Sequence, residues 1–262
     1  MKAKVNGIQI EYSVEGSGPW ITLSHSLACD SSMWDPQMAV LKSRFTVLRF
    51  DTRGHGGSDA PDRPYTLEEM ADDVKGLLDT LGIKETHWMG LSMGGMIGQT
   101  FALRHPGIFK SLILADTTSR RPDNAAQMWG ERIQIARTKG MGALVDGTLA
   151  RWFTDPYRAA QPDVMARIGK VIAATPAAGY CGCGPAIASI DLTDRLKEIK
   201  LPALVIVGEE DMGTPVSQAR AIHENLPGSE LLVIPKASHL SNIEQAEIYN
   251  RAMLAFLDRV GA

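Results

Sequence analysis

The sequence predicts an α/β fold, a mostly parallel sheet with helices on both faces, interrupted by one helical insert. Three observations carry that expectation. Short apolar runs at residues 20–23, 45–50, 87–91, 111–115, 203–207 and 230–234 alternate with helix-like segments. Runs that are apolar throughout suit strands buried on both faces, as in a parallel sheet. From Thr117 to about Ile187 the alternation fails and no strand signal is found; ~70 residues far exceeds the usual βα connection of ~2–6, so this stretch is an inserted element. Finally, 262 residues with 44% hydrophobic content, 25 glycines and 14 prolines can form one large core with many short connections.

In chain order, residues 5–14 alternate around Asn6-Gly7, a two-residue hairpin signal, so the sheet is expected to open with an antiparallel pair. After Tyr65, a capping box of Thr66 and Glu69 precedes Leu67, Met70, Val74, Leu77, Leu78 and Leu81 at three- and four-residue steps. Gly82 stops that helix. The insert carries Ile133, Ala136, Leu144, Leu149, Trp152 and Phe153, a pattern that reads as a lid. A last stripe of Tyr249, Ala252, Met253 and Phe256, begun near Asn242, gives a closing helix.

Composition narrows the function classes. A formal charge of −3 gives no reason to expect nucleic acid or an anionic membrane as partner. The first residues run into alternating sequence without an apolar leader, and no run approaches ~18 apolar residues, so the expected location is cytoplasmic. Three cysteines, Cys29, Cys181 and Cys183, form no disulfide framework, and the Cys181-Gly182-Cys183 pair lacks the second cluster a zinc site needs. They read as small buried thiols.

The chemistry concentrates at Gly90-Leu91-Ser92-Met93-Gly94, directly after an apolar strand and directly before a helix. In such a strand-turn-helix the serine sits at a strained turn, and glycines two residues either side avoid collisions with neighbouring backbone. The helix N-terminus directs free N–H groups and partial positive charge at the same point, which suits a developing oxyanion. A serine nucleophile needs a base and an acid that orients it, in the order Ser, Asp or Glu, His. Asp211 follows the run at 203–207, and His239 follows the run at 230–234. Both lie past strand C-termini, where open α/β sheets place their crevice. Asp116, after the run at 111–115, competes with Asp211 as the acid, as do Glu209 and Glu210. The oxyanion donors expected are the backbone N–H groups of Met93 and of Leu27, the latter in the loop Ser24-His25-Ser26-Leu27-Ala28. The segment from Asp51 to Asp59, rich in glycine, lacks the spacing of a phosphate or dinucleotide loop and reads as a rigid turn beside the site.

These motifs, in this order, resemble the α/β-hydrolase superfamily along nearly the whole chain. Within it the sequence looks most like the 3-oxoadipate enol-lactonases of aromatic catabolism, through Ser31-Ser32-Met33-Trp34, the Asp51-Thr52-Arg53-Gly54-His55-Gly56 turn, the Ser92 segment, Arg151-Trp152-Phe153-Thr154 and Ser238-His239-Leu240-Ser241-Asn242-Ile243-Glu244. His25-Ser26-Leu27-Ala28 departs from the Asn-Ser-Leu-Gly that those lactonases more often resemble, and Gly179-Tyr180-Cys181-Gly182-Cys183 departs as well. The resemblance implies an eight-stranded sheet, a core of residues 1–118 and 188–262, and a cap of residues 119–187. It also implies hydrolysis of a small ester or lactone through an acyl-enzyme, chemistry that requires no metal or organic cofactor. Broad-specificity carboxylesterase, arylesterase or perhydrolase activity, and non-catalytic ligand binding on the same fold, are the alternatives. For an anionic lactone, Arg132 is the expected carboxylate partner among the insert's cations, and Trp34, Trp129 and Trp152 are expected to line the acyl pocket. Association of the chain with further copies of itself stays open.

Overall fold

Asn6 and Gly7 both take positive φ, 46° and 83°, and close a hairpin in which Val5 stands opposite Ile8. That pair of conformations matches the right-handed twist of the flanking strands. The structure, a computed structural model, describes residues 1–261. The hairpin strands are β1 (Lys2–Val5) and β2 (Ile8–Gly16). They are followed by β3 (Trp20–Ser24), β4 (Thr46–Phe50), β5 (Thr86–Leu91), β6 (Phe109–Ala115), β7 (Ala203–Gly208) and β8 (Ser229–Ile234). The eight strands form one sheet in the order β1-β2-β4-β3-β5-β6-β7-β8. Only β1/β2 and β2/β4 are antiparallel; the other pairs are parallel. Every apolar run read from the sequence is a strand.

All six residues of β5 and all six of β7 are buried. Because successive side chains point to opposite faces, such strands must be covered on both. The helices α1 (Asp35–Leu41), α2 (Leu67–Thr80) and α3 (Met93–Arg104) come before the insert. Thr66 caps α2 by accepting from Glu69 N–H at 3.0 Å, as the capping box requires. No described helix taken singly is long and apolar enough to cross a bilayer.

The insert contains α4 (Ala125–Lys139), α5 (Val145–Trp152), α6 (Asp155–Ala160), α7 (Pro162–Ala174) and α8 (Ala177–Ala188). Its two ends meet at a narrow neck, where Arg120 and Asp191 bridge and Leu192 N–H donates to Ser119 O at 2.7 Å. The return to the core thus falls a few residues beyond the expected position 187. Helix α8 is rich in glycine, a poor helix former, because it packs closely on its neighbours: Gly179 on the Gly54 backbone, Gly182 on Tyr65 and Arg63 O, and Gly184 on Ile133. A Cβ on Gly179 would stand 1.9 Å from Gly54 O, and Tyr65 N–H donates to Gly182 O at 2.8 Å. Cys29, Cys181 and Cys183 are free and buried.

After β7 come α9 (Val216–Asn225), α10 (Ser241–Glu244) and α11 (Ala246–Arg259). The closing helix differs from its expected start. Gln245, at φ −127° and ψ 51°, leaves the helical region, so Asn242 belongs to the separate turn α10 and the apolar stripe belongs to α11. Asn242 instead donates to Met33 O and Gln37 Oε1, tying the chain after β8 to the start of α1.

The strand order positions the site. From β3 the chain moves one way to β4, and from β5 it moves the other way to β6. That reversal opens a crevice at the C-terminal ends of β3 and β5, where ligands bind in open α/β sheets.

Candidate active site

Ser92 stands between β5 and α3 at φ 54° and ψ −113°, a backbone conformation that L residues rarely adopt. Surrounding hydrogen bonds hold it there. Ser92 N–H donates to Ala115 O at 2.8 Å, Ser92 O accepts from Thr117 Oγ1 at 2.7 Å, and Gly95 N–H reaches the same carbonyl at 2.9 Å. The flanking glycines are required by close approach: a Cβ on Gly90 would lie 2.2 Å from Gly94 O, and one on Gly94 only 2.1 Å from Ser24 O. Gly94→Ala is therefore expected to cost about 2 kcal/mol or more, read as a fall in Tm. Gly130→Ala, in open space on α4, should instead raise stability by about 0.5–1 kcal/mol. Equal melting behaviour of the two variants would contradict this reading of the turn.

His239 and Asp211 arrive from the loops after β8 and β7. His239 Nδ1 and Asp211 Oδ2 are 2.8 Å apart, with both side chains buried. Asp211 is fixed in turn by its own loop: Oδ1 accepts from Gly213 N–H at 2.7 Å and Thr214 N–H at 2.9 Å, and Oδ2 from Thr214 Oγ1 at 2.7 Å. Burial alone would raise the Asp211 pKa, but the His239 charge and hydrogen bond, with the Thr214 donors, outweigh it and hold the carboxyl below its ordinary value. For His239 burial favours the neutral ring, yet the Asp211 carboxylate more than offsets this and raises the pKa above 6.5.

Asp116, the rival acid, is engaged elsewhere. Its Oδ1 accepts from Gly208 N–H at 2.8 Å and its Oδ2 from Ser241 Oγ at 2.6 Å, with no bond to His239 among the described contacts. Full burial, and then the nearby Asp211 charge, push its pKa well above the carboxylate range. It ties the end of β7 to the turn after His239.

Ser92, His239 and Leu27 line one cavity of about 170 Å³. Met93 N–H, at the first residue of α3, and Leu27 N–H make no hydrogen bond among the described residues, so both stay free to donate. The cap contributes three helix faces: Met128, Trp129 and Arg132 from α4, Thr148, Arg151 and Trp152 from α5, and Tyr180 and Ile187 from α8. Trp152 stacks near His239, ring centroids 6.3 Å apart. Trp34 does not join them. It is fully buried beside Tyr249, centroids 6.4 Å apart, and is absent from the cavity wall. Its place in α1's packing against α11 makes it a core residue, which corrects the expectation that it touches substrate.

Among the insert's cations the sequence reading chooses Arg132 and passes over Arg151, although Thr148, Arg151 and Trp152 at steps of three and four share one helix face. Arg132 lies over the Trp129 ring at 5.2 Å, and neither Arg132 nor Arg151 pairs with a carboxylate among the described residues. Burial, and then repulsion from Arg132, lower the Arg151 pKa. Two cations facing one cavity without an acidic partner are suited to an anionic ligand. Glu244, part of the Ser238–Glu244 stretch but given no role there, accepts from Ser238 N–H at 2.9 Å and Thr154 N–H at 3.1 Å, joining the His239 loop to the cap.

Known proteins share this arrangement of strands and helices. Residues 19–246 match the family described as alpha/beta hydrolase fold. The chain is 34% identical to 3-oxoadipate enol-lactonase 2 of Acinetobacter baylyi, an alignment covering 96% of this chain and 94% of that protein. The crystal structure of the enol-lactonase from Burkholderia xenovorans LB400 is 42% identical and superposes with a TM-score of 0.95, covering 98% of this chain and 100% of that one. A thermophilic esterase from Thermogutta terrifontis, with malate bound, is 30% identical with a TM-score of 0.94, covering 100% and 99%.

Proposed function

We propose that this chain, which belongs to the alpha/beta hydrolase family, hydrolyses a carboxylic ester or lactone through an acyl-enzyme on Ser92, with an enol-lactone bearing a carboxylate, 3-oxoadipate enol-lactone, as substrate. One observation carries the chemistry: Ser92 and His239 open onto one cavity at the sheet's switch point, and Asp211, buried behind the imidazole, bonds it at Nδ1. Ser92 Oγ attacks the lactone carbonyl while His239 takes its proton, and Asp211 stabilises the imidazolium. Leu27 and Met93 N–H groups bind the oxyanion. Collapse of the tetrahedral adduct breaks the ring C–O bond, and His239 returns its proton to the leaving enol oxygen, which stays tethered to the acyl group. The enol tautomerises to a ketone, making ring opening hard to reverse. Water, deprotonated by His239, then attacks the acyl carbon and frees Ser92 and the carboxylic acid.

Arg132 and Arg151 support the anionic substrate. A charge-assisted hydrogen bond contributes ~1.5–3 kcal/mol, so Arg132→Ala and Arg151→Ala should each lower kcat/KM for the enol-lactone about 10- to 100-fold. A neutral aryl ester should change by less than about threefold, since it offers no carboxylate to bind. A panel of the enol-lactone against aryl and alkyl esters tests the whole reading: a preference for the lactone of ~100-fold or more is expected, for the same reason. Equal kcat/KM across the panel would favour a broad-specificity esterase, a reading that the apolar wall of Met96, Met128 and Ile187 and the 30% identical esterase also support.

A further inference from the structure

Two buried imidazoles, used by none of the steps above, lie under the loop that carries Leu27. His25 and His55 are both fully buried, with ring centroids 5.1 Å apart. Thr52 N–H donates to His25 Nε2 at 2.9 Å, and Ala28 N–H donates to His55 Nε2 at 3.0 Å. A ring nitrogen that accepts has no proton, so each ring carries its hydrogen on Nδ1. His25 Nδ1–H accordingly donates to Ser26 O at 2.7 Å, and His55 Nδ1–H to Arg53 O at 3.2 Å.

The bond to Ser26 O has a consequence one atom further along. Ser26 C=O and Leu27 N–H belong to a single planar trans peptide, so they point in opposite directions. Anchoring the carbonyl on His25, and on Cys29 N–H at 3.2 Å, turns Leu27 N–H away from the imidazole. The neighbouring donor, Ala28 N–H, is consumed by His55, and Ala28 is held at φ 56°. A left-handed alanine costs about 1 kcal/mol or more, and it persists because the surroundings over-determine it. One N–H of this loop is thereby left free while its neighbour is tied down.

We propose that His25 is a positioning residue for the oxyanion hole: its Nδ1–H fixes the plane of the Ser26–Leu27 peptide and so the direction of the Leu27 donor, with His55 holding the next peptide. The inference rests on the serine-hydrolase reading and adds to it the group that aims one donor.

His25→Asn and His25→Gln separate the two contacts of the ring. The asparagine amide nitrogen can occupy the Nδ1 position and keep the bond to Ser26 O. The glutamine carbonyl reaches the Nε2 position and keeps the Thr52 bond, but places no donor at Nδ1. On a neutral aryl ester, His25→Gln is expected to lose about 100-fold in kcat, the scale of a lost oxyanion donor, with KM changed less than about twofold. His25→Asn should retain kcat within about threefold, because the peptide plane is still held. Affinity for an aryl trifluoromethyl ketone, whose adduct carries an oxyanion, should follow kcat in both variants. Equal losses in the two variants, or a loss borne by KM, would overturn the proposal. So would a wild-type ¹⁵N spectrum with the His25 proton on Nε2, a measurement that needs no variant to fold. Fluorophosphonate labelling of wild-type Ser92 is run alongside. Absence of labelling defeats the underlying serine reading, whereas labelling with unchanged kcat in His25→Gln defeats the positioning role alone.

Discussion

Replacing Ser92 with alanine is expected to lower kcat for a neutral aryl ester by roughly 10⁴- to 10⁶-fold, the loss typical of removing a nucleophile while oxyanion donors and binding remain. KM should change little, since the cavity walls are untouched. The variant should fold as the wild type does, because alanine keeps the Cβ that the strained turn already accommodates. Ser92→Gly should be equally inactive yet more stable, since glycine adopts φ 54° and ψ −113° without the strain of about 1–3 kcal/mol that a side chain brings. Calorimetry of the two variants, with fluorophosphonate labelling, checks both parts. Retained hydrolysis in Ser92→Ala would remove the serine from the mechanism.

Asp211→Asn is expected to lower kcat by about 10⁴-fold, because an amide can stabilise the wrong imidazole tautomer and offers no charge to the imidazolium. The pH profile gives a second readout. A histidine can act as a base only when neutral, and the Asp211 carboxylate raises the His239 pKa above 6.5 despite burial. Wild-type kcat/KM should therefore rise with pH through a midpoint above 6.5. Without the carboxylate, burial dominates and the midpoint of the residual activity should move down. Asp116→Asn should cost less than about tenfold, since it weakens the ties to Gly208 and Ser241 but leaves the His239 partner in place. A larger loss in Asp116→Asn than in Asp211→Asn would transfer the acid role to Asp116.

Much of the fold was legible because its determinants are local. The Asn6-Gly7 turn, the Thr66 cap and the apolar runs of β3 to β8 each depend on a few neighbouring residues. The start of the closing helix was misread because nothing in the pattern marks Gln245, whose backbone leaves the helix while α10 packs its Asn242 onto Met33 and Gln37. The glycines of α8 have their cause far away in sequence: Gly179 lies on the Gly54 backbone, Gly182 on the Tyr65 ring and Arg63 O, and Gly184 on the Ile133 side chain.

For the site, the sequence by itself determined that Ser92 lies in a glycine-flanked turn between strand and helix, and that Asp211 and His239 follow later strands. It favoured Asp211 as the acid but left Asp116 as a rival, because both follow strands and chain order allows either. Only the tertiary structure brought Asp211 to His239 and Asp116 to Ser241, withdrew Trp34 into the core, and set Arg151 beside Arg132 in the cavity. The physical reason is range: turns and periodicity are written within a few residues, whereas the convergence of loops follows from the order and register in which eight strands pair.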